Sequence, residues 1–520
     1  MPQFSNKLVK GHLQELFFII IIKKYSTRMK FGNLLLMLTC MLMFSIDATS
    51  QVFRYVVATD GSGDYTCVQS ALNACPDGQT SMIFIKNGTY NEQVALGTKT
   101  AASTKKISLI GESYGGVLIT HSQSRASSGS PTYEDVCTVK LYATDFYAEN
   151  ISIQNAAGAT GMAEALYTAG DRQIFRNCKV LGYQDTYRSK KGTRGYFKKC
   201  WLEGAVDFIY AGGTLFFDDC TINCVNGEGH IVAPEDSYTT KVSTVSGKTL
   251  KLGFVFRRCN ITANSDVATG SYDLGRPWNI NAGAYYLNCT LGKHIKPAGW
   301  ATMGGNETTA SFAEYNSLNP DGTPAVVSGR IGWSFQLQQY DADSILNTQK
   351  VYSTTYTTFF DPITTITPTA KPENITTNGS TISWSAVSGA IGYIVYKDGR
   401  YLGSVTGISY VDNSGNTGTY SVSALNTIGV LSDAATIATA LSDVQIENIE
   451  ITLNHQAITL SHCVEKMQLI TTTGNIIAQN MNESILPLNN LFQGVYLLKI
   501  YDKGLSFTNK LIIGTDKNLF

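Results

Sequence analysis

Short stretches of alternating apolar and polar residues recur between residues 50 and 360. The runs "KKISLIG" (105–111), "ENISIQN" (149–155), "GTLFFDDCTIN" (213–223) and "LGFVFRRCNIT" (252–262) follow the two-residue period of a strand. Helical periodicity is scarce. The exception is "YTCVQSALNACP" (65–76), where Val68, Ala71, Leu72 and Cys75 fall on one helical face. Within the strand-like runs one phrase repeats: "FRNC" ends at Cys178, "FKKC" at Cys200, "FDDC" at Cys220, "FRRC" at Cys259 and "YLNC" at Cys289. The spacings are 22, 20, 39 and 30 residues, and "YAEN" ending at Asn150 is read in the same phase. A β-rich period near 20 with longer insertions predicts a stacked solenoid, each turn burying its inner face against its neighbours. The early helix suits the cap that a solenoid end requires.

The pattern changes near Pro362. "DPITTITPTAKPEN" (361–374) is rich in Thr and Pro, and the linker is placed at 363–372. "STISWSAVSGAIGYIVYKDGRYLGSV" and "GTYSVSALN" then give short strands and turn signals over 373–440. This stretch resembles a fibronectin type III module, with Trp384 and Tyr420 in the core positions, and is expected to act as a spacer. A last β region, 444–520, ends in "GVYLLKIYDKGLSFTNKLIIG" and resembles the C-terminal sorting domains of type IX secretion. The fold class expected is all-β: a right-handed parallel β-helix catalytic domain over 51–362, followed by two small β-sandwich domains.

Composition agrees with a folded chain: 43% of the 520 residues are hydrophobic. The formal net charge is zero, which gives no reason to expect nucleic acid or an anionic membrane as partner. At the N-terminus Met29-Lys30 precedes the apolar run "LLLMLTCMLMF" (34–44), and "ATSQ" supplies a cleavage site after Ser50. Residues 1–50 are read as an extension plus signal peptide, with Met29 the true start and an uncleaved membrane anchor the alternative. The protein is expected to be secreted or attached at the cell surface, with the C-terminal region engaging the secretion machinery, and to be a monomer. Eleven cysteines in an exported chain raise the question of disulfides. Five of them hold equivalent repeat positions, so an internal stack of small apolar side chains is expected instead; Cys67–Cys75 and Cys220–Cys224 remain open as pairs.

Chemistry enters through "EGAVDFIYAGG" (203–213), where Asp207 interrupts an apolar strand. An isolated carboxylate there is costly unless paired, hydrogen-bonded or neutral. Asp207 lies seven residues after Cys200 and Asp185 seven after Cys178; Gly204 and Gly182 each lie four after. Parallel rungs about 4.8 Å apart therefore bring the two carboxyl groups together. Such a pair resists double ionisation, leaving one carboxylate and one acid, which is equipment for hydrolysis. A stacked pair with a purely structural role is the competing reading.

At these residues the chain resembles the pectinesterases (pectin methylesterases, carbohydrate esterase family eight), which are right-handed parallel β-helices. The resemblance runs over about 280 residues, from Tyr55 to Trp333. It includes "VVATDGSGDYTCVQSALNACP", "IKNGTYNEQV" with Gly88, Tyr90 and Glu92, "GYQDTYR", "VDFIYAGG", "LGRPW", "IKPAGW", "FAEYNS" and "RIGW", in family order. It implies Asp207 as nucleophile, Asp185 as acid and then base, Gln184 as oxyanion donor and Arg276 as the partner that orients Asp207. It implies Trp278 as the residue that stacks on the sugar ring, no metal and no cofactor, and methylesterified homogalacturonan as substrate; Tyr187, Phe208, Tyr210, Trp300, Met162 and Glu164 are further candidate substrate contacts. Tyr183, Tyr187, Phe208 and Tyr210 either line the sugar cleft or pack between turns, Trp300 and Trp333 alternatively belong to the core, and Lys190, Lys191 and Arg194 are either steering charges or a solvated loop.

One departure stands out. The family's Gln-Ala-Val-Ala-Leu segment, whose Gln supplies a second oxyanion donor, reads "MAEAL" here (162–166). Met162 cannot donate a hydrogen bond. Glu164, two residues on, is expected on the same face, where it either donates when protonated or disturbs the pair. Reduced activity, or a pectin-binding homologue without activity, is therefore an alternative; a pectate lyase or galacturonase on the same fold is a further one. "GESYG" (111–115) satisfies the nucleophile-elbow pattern, but the residues after it read as a strand, so Ser113 is not expected to be a nucleophile.

Overall fold

Each turn of the solenoid is built from three short strands that hydrogen-bond to the same strands of the next turn. The computed structural model describes residues 52–439 and 451–513, apart from 127–131, 228, 238, 244–246, 248, 355, 416–417, 454–456, 472–474, 489–493 and 503–504. The expected leader with its Met29 start, and residues 444–450, lie outside the described residues. Three parallel sheets of eleven, seven and eight strands wind into a right-handed β-helix. One turn runs through Gln173–Arg176, Lys179–Leu181 and Tyr187–Ser189 before Arg194–Lys198 begins the next. The helix Val68–Ala74 turns Val68, Ala71 and Leu72 into the core. Its first backbone N–H groups, at Val68 and Gln69, donate to the Glu92 carboxylate at 2.7 and 2.9 Å, a cap supplied from the bend after the strand Gly88–Asn91.

The repeated phrase is the inside of the coil. Phe175, Phe197, Phe217, Phe256 and Tyr286 stack face to face with centroids 4.7, 5.0, 4.6 and 4.5 Å apart, which is the strand spacing itself. Beside them Cys200, Cys220, Cys259 and Cys289 each donate to the carbonyl of the aromatic residue one rung back, at 3.2–3.4 Å. The cysteines of the described residues are free thiols, so neither Cys67–Cys75 nor Cys220–Cys224 forms. Before each cysteine of the phrase stands a residue in the left-handed region: Asn177, Lys199, Asp219, Arg258 and Asn288, with φ between 51 and 54°. That corner turns the chain from one sheet to the next. Asn150, φ 60°, belongs to the same corner, and Glu149 pairs with Arg176. The phase of "YAEN" is therefore one residue off the sequence reading: Asn150 matches Asn177 and Ile151 matches Cys178.

Two helices, Gln339–Leu346 and Thr348–Ser353, close the outer face of the largest sheet, where the Tyr352 hydroxyl donates to the Gly195 carbonyl at 2.6 Å. At eight and six residues they are too short to show a period in sequence. Residues 376–439 form a three-stranded and a four-stranded sheet, with Trp384 and Tyr420 buried. This module is fixed to the β-helix within one compact unit that runs through Ile437. The Tyr401 ring stacks on Phe84 at 4.2 Å, the Tyr401 N–H donates to Glu112 at 2.6 Å, and the Leu431 N–H donates to Glu149 at 3.2 Å. Such contacts make it an attached buttress rather than a spacer on a free tether. The remaining strands, from Ile451–Leu453 to Leu505–Ile513, form an antiparallel five-stranded sheet with its own core around Ile458, Met467, Leu469 and Leu498.

Candidate active site

The site lies on the seven-stranded sheet, where two consecutive rungs each interrupt their strands with an aspartate. Gln184 bridges Met162 on the rung before and Val206 on the rung after. The Asp185 N–H donates to the Val206 carbonyl at 3.1 Å, and the Asp207 N–H to the His230 carbonyl at 2.8 Å. Both aspartates adopt the left-handed conformation, φ 62° and 45°, which Asp and Asn tolerate better than other side chains. The chain then folds back sharply enough that Gly182 and Gly204 are required. A Cβ on Gly204 would sit 2.3 Å from Phe208 Cβ, and one on Gly182 2.6 Å from Thr186 Oγ1. The glycine ahead of each turn thus admits the side chain that the turn throws inward.

That turn corrects three expected substrate contacts. Phe208 is fully buried in the interior of the coil. Tyr187 is equally buried, its hydroxyl 2.9 Å from the Thr168 hydroxyl and its ring 5.0 Å from Phe197. Trp300 packs edge-on between Tyr286 and Phe312 in the core. A left-handed residue breaks the two-residue alternation: Tyr187, two residues after Asp185, turns into the coil, and Phe208 and Ile209 both face inward after Asp207. Tyr210 does face outward, with the half-buried Trp278 ring 6.1 Å away. Trp333 packs against the core beside Phe312. Of the three loop cations, Arg194 is buried and bonded to Asp171 and Thr358, Lys191 pairs with Asp236 and only Lys190 is exposed. Ser113 donates to Asn87 in a turn and is followed by the strand Val117–His121, not a helix.

Around the aspartates the charges are arranged asymmetrically. Arg276, just past the strand Tyr272–Gly275, grips Asp207 with a two-pronged fork: Nε donates to Oδ1 at 3.0 Å and Nη2 to Oδ2 at 2.5 Å. No such cation holds Asp185, whose Oδ2 is buried without a hydrogen-bond partner among the described residues. Burial pushes the Asp185 carboxyl up to about 8, and the charges of Glu164 and then Asp207 add to the shift, against Arg188 and Arg125. Glu164 itself is fully buried, so it stands behind the pair rather than in contact with a bound chain. Tyr210 donates to its Oε1 at 2.6 Å, its Oε2 has no hydrogen-bond partner among the described residues, and burial raises it to about 7. The rung is longer here: three residues separate Met162 from Leu166, whereas two separate their partners Gln184 and Tyr187, and Glu164 occupies the longer stretch. Met162 Sδ lies 3.8 Å from the Tyr133 hydroxyl, which donates to it.

Because Glu164 adds negative charge behind Asp185, Glu164→Gln is expected to lower the proton affinity of Asp185. The alkaline limb of any activity that needs protonated Asp185 then moves to lower pH by about one unit. A pH–rate profile checks this, and an unmoved limb would show the two carboxyls to be uncoupled. Sequence reading missed Tyr133, Arg125, Tyr167 and Arg188 around the pair. One signal was available: Arg188 lies 22 residues before Tyr210, the same step that joins Asp185 to Asp207, and the two pair in register.

Comparison with known proteins adds the relatives. The pectinesterase family model matches residues 54–357. Pectinesterase 31 of Arabidopsis thaliana is 32% identical over 305 residues, 57% of this chain and 90% of its own length. Probable pectinesterase A of Neosartorya fischeri is 35% identical over 265 residues, 49% of this chain and 76% of its own. The chain spans about half, 48%, of the pectinesterase/pectinesterase inhibitor of Brassica campestris at 31% identity. Among solved structures, pectin methylesterase from carrot superposes with a TM-score of 0.51 at 27% identity, over 59% of this chain and 98% of that one.

Proposed function

The chain belongs to the pectinesterase family and is a carboxylic ester hydrolase, and from this we propose that it hydrolyses methyl esters of homogalacturonan with Asp207 as nucleophile and Asp185 as acid and base. The observation that carries the reading is the asymmetry of the two carboxyls: Asp207 is oriented by the Arg276 fork, whereas Asp185 on the preceding rung keeps its proton through neutral pH. A carboxylate Oδ of Asp207 attacks the ester carbonyl carbon, and the carbonyl oxygen becomes an oxyanion beside Gln184. As the tetrahedral centre collapses, the C–O bond to methoxide breaks, Asp185 gives its proton to that oxygen and methanol leaves an acyl-Asp207 anhydride. Asp185, now a carboxylate, takes a proton from water while the oxygen attacks the acyl carbon. Asp207 departs as carboxylate, and the uronic acid is released. Trp278 and Tyr210 offer an aromatic wall for a sugar ring.

Methanol release from methylated homogalacturonan tests the proposal. Equimolar methanol and new carboxylate support it, unsaturated ends would indicate a lyase, and new reducing ends a galacturonase. A pectin-binding homologue without activity is favoured by one observation, the thioether of Met162 beside Gln184. If Met162 marks a lost oxyanion donor, Met162→Gln is expected to raise kcat by roughly 10²-fold. Steady-state methanol release decides the point, and an unchanged rate removes the missing-donor argument.

The export reading belongs to the same proposal. A leader over 29–50, and a C-terminal region read as a type IX sorting domain, fit a substrate that is an extracellular polymer. The attached module at 373–440, read as fibronectin type III-like, and a monomeric state complete the picture.

A further inference from the structure

Arg188 takes no part in the chemistry above, yet its position is unusual for a half-buried cation. It sits on the outer face of the seven-stranded sheet, in register with Tyr167 on one rung and Tyr210 on the next. Its guanidinium lies 4.7 Å from the Tyr133 ring centroid and 4.8 Å from that of Tyr167. Among the described residues its guanidinium makes no hydrogen bond and no ion pair, and Nη1 is buried without a partner. The Arg125 guanidinium lies over the same Tyr133 ring at 4.3 Å. Two like charges are thus gathered around one aromatic ring whose hydroxyl touches Met162, next to Gln184.

Burying a guanidinium nitrogen without an acceptor is costly, and a like charge over the same ring adds repulsion. The nearby anions, Glu164 and Glu134, act on Arg188 only from beyond ion-pair distance. What relieves such a site is an anion that brings two oxygens to the guanidinium fork and a flat ring to the tyrosines. A uronate unit has both: a carboxylate for a two-pronged bond and a sugar face for Tyr167 or Tyr133.

We propose that Arg188, assisted by Arg125, binds the free carboxylate of an unesterified uronate in the same polymer chain as the reacting ester. Substrates that already carry de-esterified units are then preferred, and each hydrolysis creates a further ligand for the site. This inference rests on the esterase reading but can fail separately from it.

The test compares wild type with Arg188→Gln and Arg188→Lys near pH 6, where Asp185 is protonated with or without the neighbouring cation. Calorimetric binding of a fully unesterified oligogalacturonate is measured at low and raised salt, together with kcat/KM for methanol release from partly and from fully methylated homogalacturonan. Arg188→Gln is expected to weaken oligogalacturonate binding by about 10- to 100-fold, the range of a lost charge-assisted hydrogen bond. It should also reduce the preference for the partly methylated substrate by about tenfold or more. Arg188→Lys should recover part of both, with a steeper salt dependence. Unaltered binding, or an equal loss on both substrates, overturns the site. Wild type that binds oligogalacturonate through Arg188 but releases no methanol would overturn the esterase reading and leave the site standing.

Discussion

Asp207→Asn is expected to lower methanol release by roughly 10⁴- to 10⁶-fold, the range seen when the central group of a covalent mechanism is replaced. Asparagine has nearly the same shape, so the polymer still binds, but its amide is a far weaker nucleophile than a carboxylate. The local cost is also definite. Arg276 donates to both Asp207 oxygens, at 3.0 and 2.5 Å, and asparagine offers one oxygen and a competing NH₂. One prong of the fork is lost, at about 1–3 kcal/mol, which a long β-helix with a continuous aromatic core tolerates. Methanol assayed by a coupled oxidation, with circular dichroism to show the fold intact, is the measurement. A folded Asp207→Asn protein that retains more than about a tenth of the rate would eliminate Asp207 as nucleophile.

The second large effect concerns the proton. Asp185→Asn is expected to cost roughly 10²- to 10⁴-fold, the usual contribution of a positioned general acid and base. The wild-type profile carries the sign. The Asp185 carboxyl is raised to about 8 by burial first and then by the charges of Glu164 and Asp207, so it is protonated below that value and active as an acid there. Activity should fall as pH rises through about 8, and the residual activity of Asp185→Asn should lack that limb. The same shift sets a stability trend. A carboxyl held above its unfolded value of about 4 binds its proton more tightly in the native state, so its contribution to stability falls as pH rises from about 4 to about 8. Thermal unfolding across that window should show a shallower decline for Asp185→Asn than for wild type. A variant with an unchanged alkaline limb would move the acid role elsewhere, with Glu164 the first residue to test.

Much of this site was legible before any coordinate. Every rung must bury the same kind of side chain, so the aromatic and cysteine phase repeats in the sequence. Counting from Cys178 and Cys200 placed Asp185 beside Asp207. The same count put Gly182 and Gly204 in one phase, whereas only the folded coil sets Met162 of "MAEAL" beside Gln184. Two kinds of feature escaped. Short helices such as Gln339–Leu346 carry too few turns to declare a period. Left-handed corners at Asn150, Asp185 and Asp207 break the alternation on which inward and outward positions are judged. Tyr187, two residues after Asp185, therefore packs inside the coil, and Tyr210, three after Asp207, faces out of it.

The repeat, its length and the shared phase of the two aspartates are written in the order of residues alone, because hydrogen-bonded register is a local property that each turn restates. The groups that surround those aspartates are settled only by the folded coil. The fork on Asp207 comes from Arg276, 69 residues along the chain, and the proton on Asp185 is held by burial and by Glu164 from the rung before. The cation beside them, Arg188, is framed by tyrosines from a helix and two different strands. Insertions of unequal length separate these residues in sequence, and desolvation, which sets their proton affinities, exists only once the coil has closed around them.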